Sequence, residues 1–196
     1  MSSEVPQSPK PSVLFIFAEG LEELEAVAPL DILRRAGAEC TVASLEAEPN
    51  VTGRNGIHLR ADVSLDAVKD HSFDLVVIPG GPGVAALRKD ERVLELLRRH
   101  FHGGQLVAAI CAGPTVLQAA GLLEGKRSTA HSSVIDEIPG ATPDEAVVED
   151  DTVITSRGAG TAIAFGLVLA RRLAGPETTR AVEQSIHYDM ITPAPH

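Results

Sequence analysis

Gln105-Leu-Val-Ala-Ala-Ile-Cys-Ala-Gly-Pro114 is an apolar run that stops against a cysteine, two small residues and a proline. Six residues of that kind, too short for a core helix, read as a strand buried on both faces. Pro114 suits the first turn of a helix, where its missing N–H costs nothing. The segment therefore predicts strand, sharp elbow, helix, with Cys111 on the elbow. A strand buried on both faces belongs to a parallel sheet covered by helices.

The flanking sequence repeats the scheme. Apolar stretches over residues 12–17, 40–44, 74–78, 146–149 and 152–155 read as further strands. Helical periodicity is expected over 21–36, closed by Gly37, and over 91–102, closed by Gly103-Gly104. It is expected again over 114–120, 161–173 and 176–187. Such alternation implies an α/β fold, a mostly parallel sheet with helices on both faces. In that architecture ligands bind beyond the carboxyl ends of the strands. The residues after Phe17, Ile78, Ile110 and Thr155 are thus the places to look.

The composition agrees. Of the 196 residues 44% are hydrophobic but only 3% aromatic, with no Trp, so the core must be built from Val, Leu, Ile and Ala. With 17 basic against 27 acidic residues the chain carries a net charge of −10, which argues against a nucleic-acid partner. Apolar runs fall short of the roughly 20 residues that span a bilayer. Two cysteines make no disulfide framework, and a reduced, cytoplasmic setting is expected. Residues 1–11 are polar, with three prolines, and read as a flexible tail before one domain over 12–196.

Cys111 is the first candidate. An elbow between strand and helix exposes its residue to a ligand, and small neighbours permit the tight turn. A helix N-terminus lowers a thiol's pKa, and the thiolate is the nucleophile. The alternative, an inert core cysteine, fits Cys40 in mid-strand far better. Glu25 is the second. On a wheel of about 100° per residue, Leu21, Ala28, Pro29, Ile32 and Ala36 fall within about 60° of it, while Glu23, Asp31, Arg34 and Arg35 face away. A carboxyl amid an apolar face should have a raised pKa and can shuttle protons. Glu22 and Glu23 read as ordinary acids at a helix start. Gly80-Gly81 offers backbone N–H groups to a ligand oxygen or serves merely as a turn. Of the seven histidines, His100 and His102 fit a helix C-terminal cap, and only His131, in Ser128-Thr-Ala-His-Ser132, follows a short β-like stretch beyond the helix after Cys111. There is no dinucleotide fingerprint, Walker sequence, G-x-S-x-G elbow or metal-ligand spacing, so no cofactor or metal is expected.

Four motifs together resemble the ThiJ/PfpI superfamily and, within it, the Parkinson-linked deglycase branch. They are Glu22-Glu23-Leu24-Glu25, Pro79-Gly80-Gly81, Ala108-Ala-Ile-Cys-Ala-Gly-Pro114 and Thr155-Ser-Arg-Gly-Ala-Gly160. The resemblance runs from about Val13 to Leu173. It implies a flavodoxin-like three-layer sandwich, akin to the class I glutamine amidotransferases, and a homodimer. It implies that Cys111 is the reactive cysteine, Glu25 the acid bonded to it and His131 the third member. Gly80, Gly81 and Ala112 would bind a substrate oxygen, and Arg54 would reach the partner subunit's site. The activity so implied is glutathione-independent conversion of methylglyoxal or glyoxal to lactate or glycolate, or a related protein deglycase. Rival readings are a redox-responsive protective protein and a cysteine peptidase or amidase. The chain departs from the branch at Ser132 and Ala159, where Pro is common.

Overall fold

The computed structural model describes residues 9 to 190, so the tail expected over 1–11 lies mostly outside the described residues. The strands are β1 (Ser12–Phe17), β2 (Glu39–Ser44), β3 (Asn50–Thr52), β4 (His58–Arg60), β5 (Val63–Ser64), β6 (Leu75–Ile78), β7 (Leu106–Ile110), β8 (Val147–Asp150) and β9 (Val153–Ser156). The α-helices are α1 (Glu23–Arg35), α2 (Leu65–Val68), α3 (Val84–Leu87), α4 (Glu91–His102), α5 (Pro114–Ala119) and α6 (Ala162–Ser185). Seven strands form one sheet in the order β5-β2-β1-β6-β7-β9-β8. All neighbours are parallel except β8, which pairs antiparallel with β9 because a short turn at Asp151 joins them.

Side chains along β1 alternate between two cores. Leu14 and Ile16 join Val76, Ile78, Val107 and Ala109 under α4 and α5. Val13, Phe15 and Phe17 join Val77, Ala108 and Ile110 under α1 and α6. This is the three-layer α/β sandwich expected from the alternation of strand and helix. Each fully buried Leu, Ile or Phe in these layers contributes roughly 1.5–3 kcal/mol.

Local rules explain the helix ends. Gly37, at φ 89°, closes α1: its N–H reaches the Arg34 carbonyl and the Ala38 N–H reaches Leu33, the paired bonds of a Schellman cap. α1 continues through Pro29, whose backbone is packed against Gly166 of α6; a Cβ at Gly166 would lie 2.9 Å from the Pro29 Cα. The two helices expected over 161–173 and 176–187 are both present within the span of α6, parted at Gly175, whose φ of 82° and ψ of 169° are not helical.

The chain runs from β1 outward to β2 on one side and from β6 outward to β7 on the other. The order of strands therefore reverses between β1 and β6, and their carboxyl ends open a crevice there. Glu25 follows β1 and Gly80 follows β6, the two strands that border it, and Cys111 follows β7, the next strand along.

Candidate active site

Cys111 occupies the elbow between β7 and α5 in a left-handed conformation, φ 64°, which non-glycine residues rarely adopt. Three backbone bonds hold it there. Its N–H donates to Ser156 O at 2.9 Å, its carbonyl accepts from His131 N–H at 2.9 Å, and Gly113 N–H closes the turn on Ile110 O at 2.8 Å. Gly113 must lack a side chain: a Cβ would lie 2.6 Å from Ile78 O. The elbow thus ties β7 to β9 and to the segment carrying His131.

Glu25, in the first turn of α1, is 1% exposed. Its carboxyl is hydrogen-bonded to the Cys111 thiol, and Gly80 N–H donates to its Oε2 at 3.0 Å. The wheel placed Glu25 correctly on the buried side. Gly80 fills the gap between the two groups, and a Cβ there would fall 2.4 Å from Glu25 Oε2 and 2.7 Å from Cys111 Cβ. Gly81 adopts φ 92°, and a Cβ there would lie 2.5 Å from both Glu22 N and Gly20 O.

Two differences from the sequence reading follow. Gly80, expected among the donors to a substrate oxygen, has its N–H occupied by Glu25; the N–H groups of Ala112 and Gly81 are the ones that point at the sulfur. The thiol is also not lowered. Burial, then the facing Glu25 carboxylate, push Cys111 up to about 12, against the weaker pull of the Ala112 and Gly81 N–H groups. The helix behind it has only six residues, and its end cannot offset a buried anion next to a second one. Burial likewise pushes Glu25 up to about 7, with Glu22 adding to it and the Cys111 bond, Gly80 and Arg54 opposing. The repulsion exists only while Glu25 is ionised. Below about pH 7 both groups therefore carry their protons, and above it the pair keeps one, on the thiol.

His131 is exposed and sits beside the pair. A Cβ at Gly158, just after β9, would lie 3.4 Å from His131 Cδ2 and 3.8 Å from Glu25 Oε1, so the ring and the carboxyl face each other across that glycine. Arg54 is at the tip of the β3–β4 hairpin, exposed, its N–H bonded to Leu21 O at 2.9 Å; its charge reaches Glu25 of its own chain.

Glu23 escaped the sequence reading. Placed on the polar side of the wheel, it is 5% exposed. The hairpin folds over it, and Asn55 N–H and Nδ2 each donate to its carboxylate at 2.8 Å. Burial raises this carboxyl, but the bonds from Asn55 and Ile57 outweigh it and hold it below the usual range. The matching sign was the glycine at 53, where a Cβ would strike Glu23 Oε1 at 2.3 Å. Glu22 behaves as expected and caps α1, its carboxylate accepting from Glu25 N–H at 2.9 Å. No cluster of three metal-binding side chains occurs among the described residues. Hollows of about 210 Å³ beside α6 and about 280 Å³ beyond β1 and β2 touch neither Cys111 nor Glu25.

A doubly wound α/β sandwich with a strained cysteine elbow facing a buried glutamate at the switch point defines a recognisable class. The chain belongs to the DJ-1/PfpI family, whose profile matches residues 11–172. The crystal structure of Drosophila melanogaster DJ-1beta superposes with a TM-score of 0.89 at 40% identity, over 91% of this chain and 98% of that one. Glutathione-independent glyoxalase DJR-1.2 of Caenorhabditis elegans is 39% identical over 176 residues, 88% of this chain and 94% of its own. Deglycase TK1284 of Thermococcus kodakarensis is 34% identical over 151 residues, 76% and 90% of the two chains.

Proposed function

We propose that this protein is a cofactor-independent glyoxalase that converts methylglyoxal to lactate and glyoxal to glycolate, with Cys111 as nucleophile and Glu25 as acid and base. The observation that carries the reading is a buried carboxyl set against a buried thiol on a left-handed elbow, with backbone N–H groups beside the sulfur. The names of the worm glyoxalase and the archaeal deglycase support the same carbonyl chemistry.

The thiol proton passes to Glu25 as sulfur attacks the aldehyde carbon. The S–C bond forms and the carbonyl π pair moves to oxygen, which lies toward the Ala112 and Gly81 N–H groups and takes the proton back. The Glu25 carboxylate then removes the hydrogen on that carbon, and the electron pair moves toward the second carbonyl oxygen. Glu25 returns the proton to the second carbon while the proton on the first oxygen passes to the second, leaving a thioester of the 2-hydroxy acid on Cys111. Water adds, the C–S bond breaks, and the hydroxy acid leaves while sulfur regains its proton. The sum is one dicarbonyl plus one water, with no oxidant or reductant. A carboxyl as the thiol's bonded partner, in place of an imidazole, favours this reading over a peptidase. Early glyoxal adducts on protein side chains carry the same hemithioacetal or aminocarbinol carbon and are a natural extension. A free thiol in this role suits a reducing, cytoplasmic setting.

The test is turnover of methylglyoxal without glutathione, read as lactate. Cys111→Ala abolishes it, and Glu25→Gln, which can neither take nor give the proton, lowers kcat by about 100-fold or more. Full turnover in Cys111→Ala sinks the proposal. No turnover in wild type, with a clean gain of two oxygens at Cys111 under mild peroxide, favours instead the redox role, in which Glu25 and the same N–H groups hold a sulfinate.

We also propose a symmetric homodimer. Leu24 and Val27 of α1, Ile57 of the hairpin and Ile163 of α6 are exposed on adjoining elements, an apolar face of the sort a partner covers.

A further inference from the structure

The ring of His131 is bonded to a residue two positions along the chain. Residues 131–134 form a tight turn, with Val134 N–H donating to His131 O at 3.0 Å. The turn folds Ser133 back onto the ring of His131. Ser133 N–H donates to Nδ1 at 3.2 Å, and Ser133 Oγ lies 2.8 Å from the same nitrogen. A backbone N–H can only donate, so this longer bond favours the lone pair on Nδ1. The hydroxyl, free to rotate, donates there too. In the neutral ring the proton is therefore on Nε2.

The orientation of the ring gives that proton a purpose. Cδ2, bonded directly to Nε2, is the atom nearest the α-carbon face of Gly158, across which lies Glu25 Oε1. The Nδ1 edge is tethered to Ser133, and Cδ2, across the ring from Nδ1 and bonded to Nε2, lies on the Gly158 side, toward Glu25. Gly158 is held in this place by its N–H bond to Thr161 Oγ1 at 3.1 Å, so the surface beneath the ring is itself fixed.

We infer that Ser133 is a positioning residue that locks His131 in the Nε2–H tautomer, so that His131 enters the reaction as a neutral hydrogen-bond donor to the substrate's second carbonyl oxygen and not as its base. This rests on the glyoxalase reading and deepens it. When Glu25 removes the hydrogen from the thiol-bearing carbon, the electron pair moves onto that second oxygen. A donor already in place stabilises the charge as it forms, with no proton leaving the ring. The tautomer with the proton on Nδ1 would face the oxygen with a lone pair and would repel it. The assignment also divides the labour: Glu25 is the one base, and His131 supplies only the donor.

The experiment uses reduced full-length protein labelled with ¹⁵N-histidine. Ring nitrogens are read by long-range proton–nitrogen correlation, and His131→Gln identifies the signals of His131. Wild type shows Nε2 protonated and Nδ1 bare. Ser133→Ala keeps the backbone donor but loses the hydroxyl; its ring signals move toward a mixture of tautomers, and kcat falls about fivefold, the worth of one neutral hydrogen bond, with KM unchanged. Ser133→Thr restores both. A proton on Nδ1 in wild type overturns the inference. So does a loss of kcat in Ser133→Ala with the tautomer unmoved, or a moved tautomer with kcat unmoved. The ring spectrum needs no substrate, so a wrong tautomer in an active enzyme removes the role of Ser133 alone, whereas an inactive wild type removes the reaction itself.

Discussion

Glu25 is more comfortable with its proton than without it, and the protein carries a cost for that. Its carboxyl is pushed up to about 7 from an ordinary 4.5. Between those values the folded chain binds a proton that the unfolded chain has released. Folding stability from this group is thus greatest at low pH and falls as pH rises from about 4.5 through about 7. Glu25→Gln removes the penalty, since an amide stays neutral while its oxygen still accepts from Gly80 N–H. At pH 8 the variant should be more stable than wild type, by up to roughly 3 kcal/mol in urea unfolding, and the difference should shrink toward pH 4. Equal stabilities at pH 8 would mean that Glu25 is not raised. A variant more stable and less active is what a strained, functional carboxyl implies. Much at this scale was legible in the sequence. The elbow position of Cys111 was legible from the residues around it and the burial of Glu25 from the helical wheel, because both depend on local geometry. The direction of the Cys111 shift was not legible: it depends on how deeply the sulfur is buried and on a carboxylate 86 positions away in the chain. Ser133 was missed because a side chain bonding within its own turn leaves no periodic trace.

Elements with strong periodicity were read almost to the residue, as α4 over 91–102 shows, while those defined only by a distant partner were not read. The β3–β4 hairpin, Asn50–Thr52 with His58–Arg60, has too few apolar residues to signal a strand and exists because it folds over Glu23. β5, two residues long, is visible only through its pairing with β2. α4 also contains a histidine whose role the sequence misplaced. His100 reads as a C-terminal cap but is 2% exposed, and it joins α4 to the strand entering the crevice. Its Nδ1–H donates to Leu96 O at 2.8 Å and its Nε2 accepts from Phe73 N–H at 3.0 Å. Burial holds the ring below its usual value, opposed by the Leu96 bond and helped by Arg99. A second proton would put N–H against N–H at Phe73. The unfolded chain, with an ordinary value near 6.5, takes up that proton first. His100 therefore contributes its full stability above about pH 6.5, and the contribution is lost as pH falls below it, by at most about 1.4 kcal/mol per pH unit. His100→Gln retains a donor and an acceptor without titrating. Its thermal unfolding should vary less than wild type between pH 7 and pH 5; parallel curves would remove His100 from the acid response.

For the whole molecule, the open question of assembly and the site are joined by geography. α1 carries Glu25 toward the crevice and Leu24 away from it, since adjacent residues on a helix point about 100° apart. Leu24 is 61% exposed, and Arg54 lies on the hairpin that Glu23 clamps to the same turn of α1. A two-fold partner seated on Leu24 and Ile57 would bring each Arg54 close to the other subunit, so the helix that associates is the helix that carries the acid on its other side. An isologous contact doubles every favourable residue, which makes one exposed leucine near the axis unusually effective. Sedimentation equilibrium at micromolar concentration should give twice 20.6 kDa for wild type. Leu24→Asp, which sets two carboxylates against each other on a surface that is exposed in the single chain, should give 20.6 kDa with an unchanged far-ultraviolet spectrum. If association steadies α1, the monomeric variant should also lose kcat, because the Glu25 carboxyl is placed by the turn that bears Leu24 and small displacements at a reacting pair are costly. A wild type that sediments as a single chain ends the dimer proposal. A Leu24→Asp protein that remains dimeric moves the interface to another face, and Arg54 then loses its claim on the partner subunit's site.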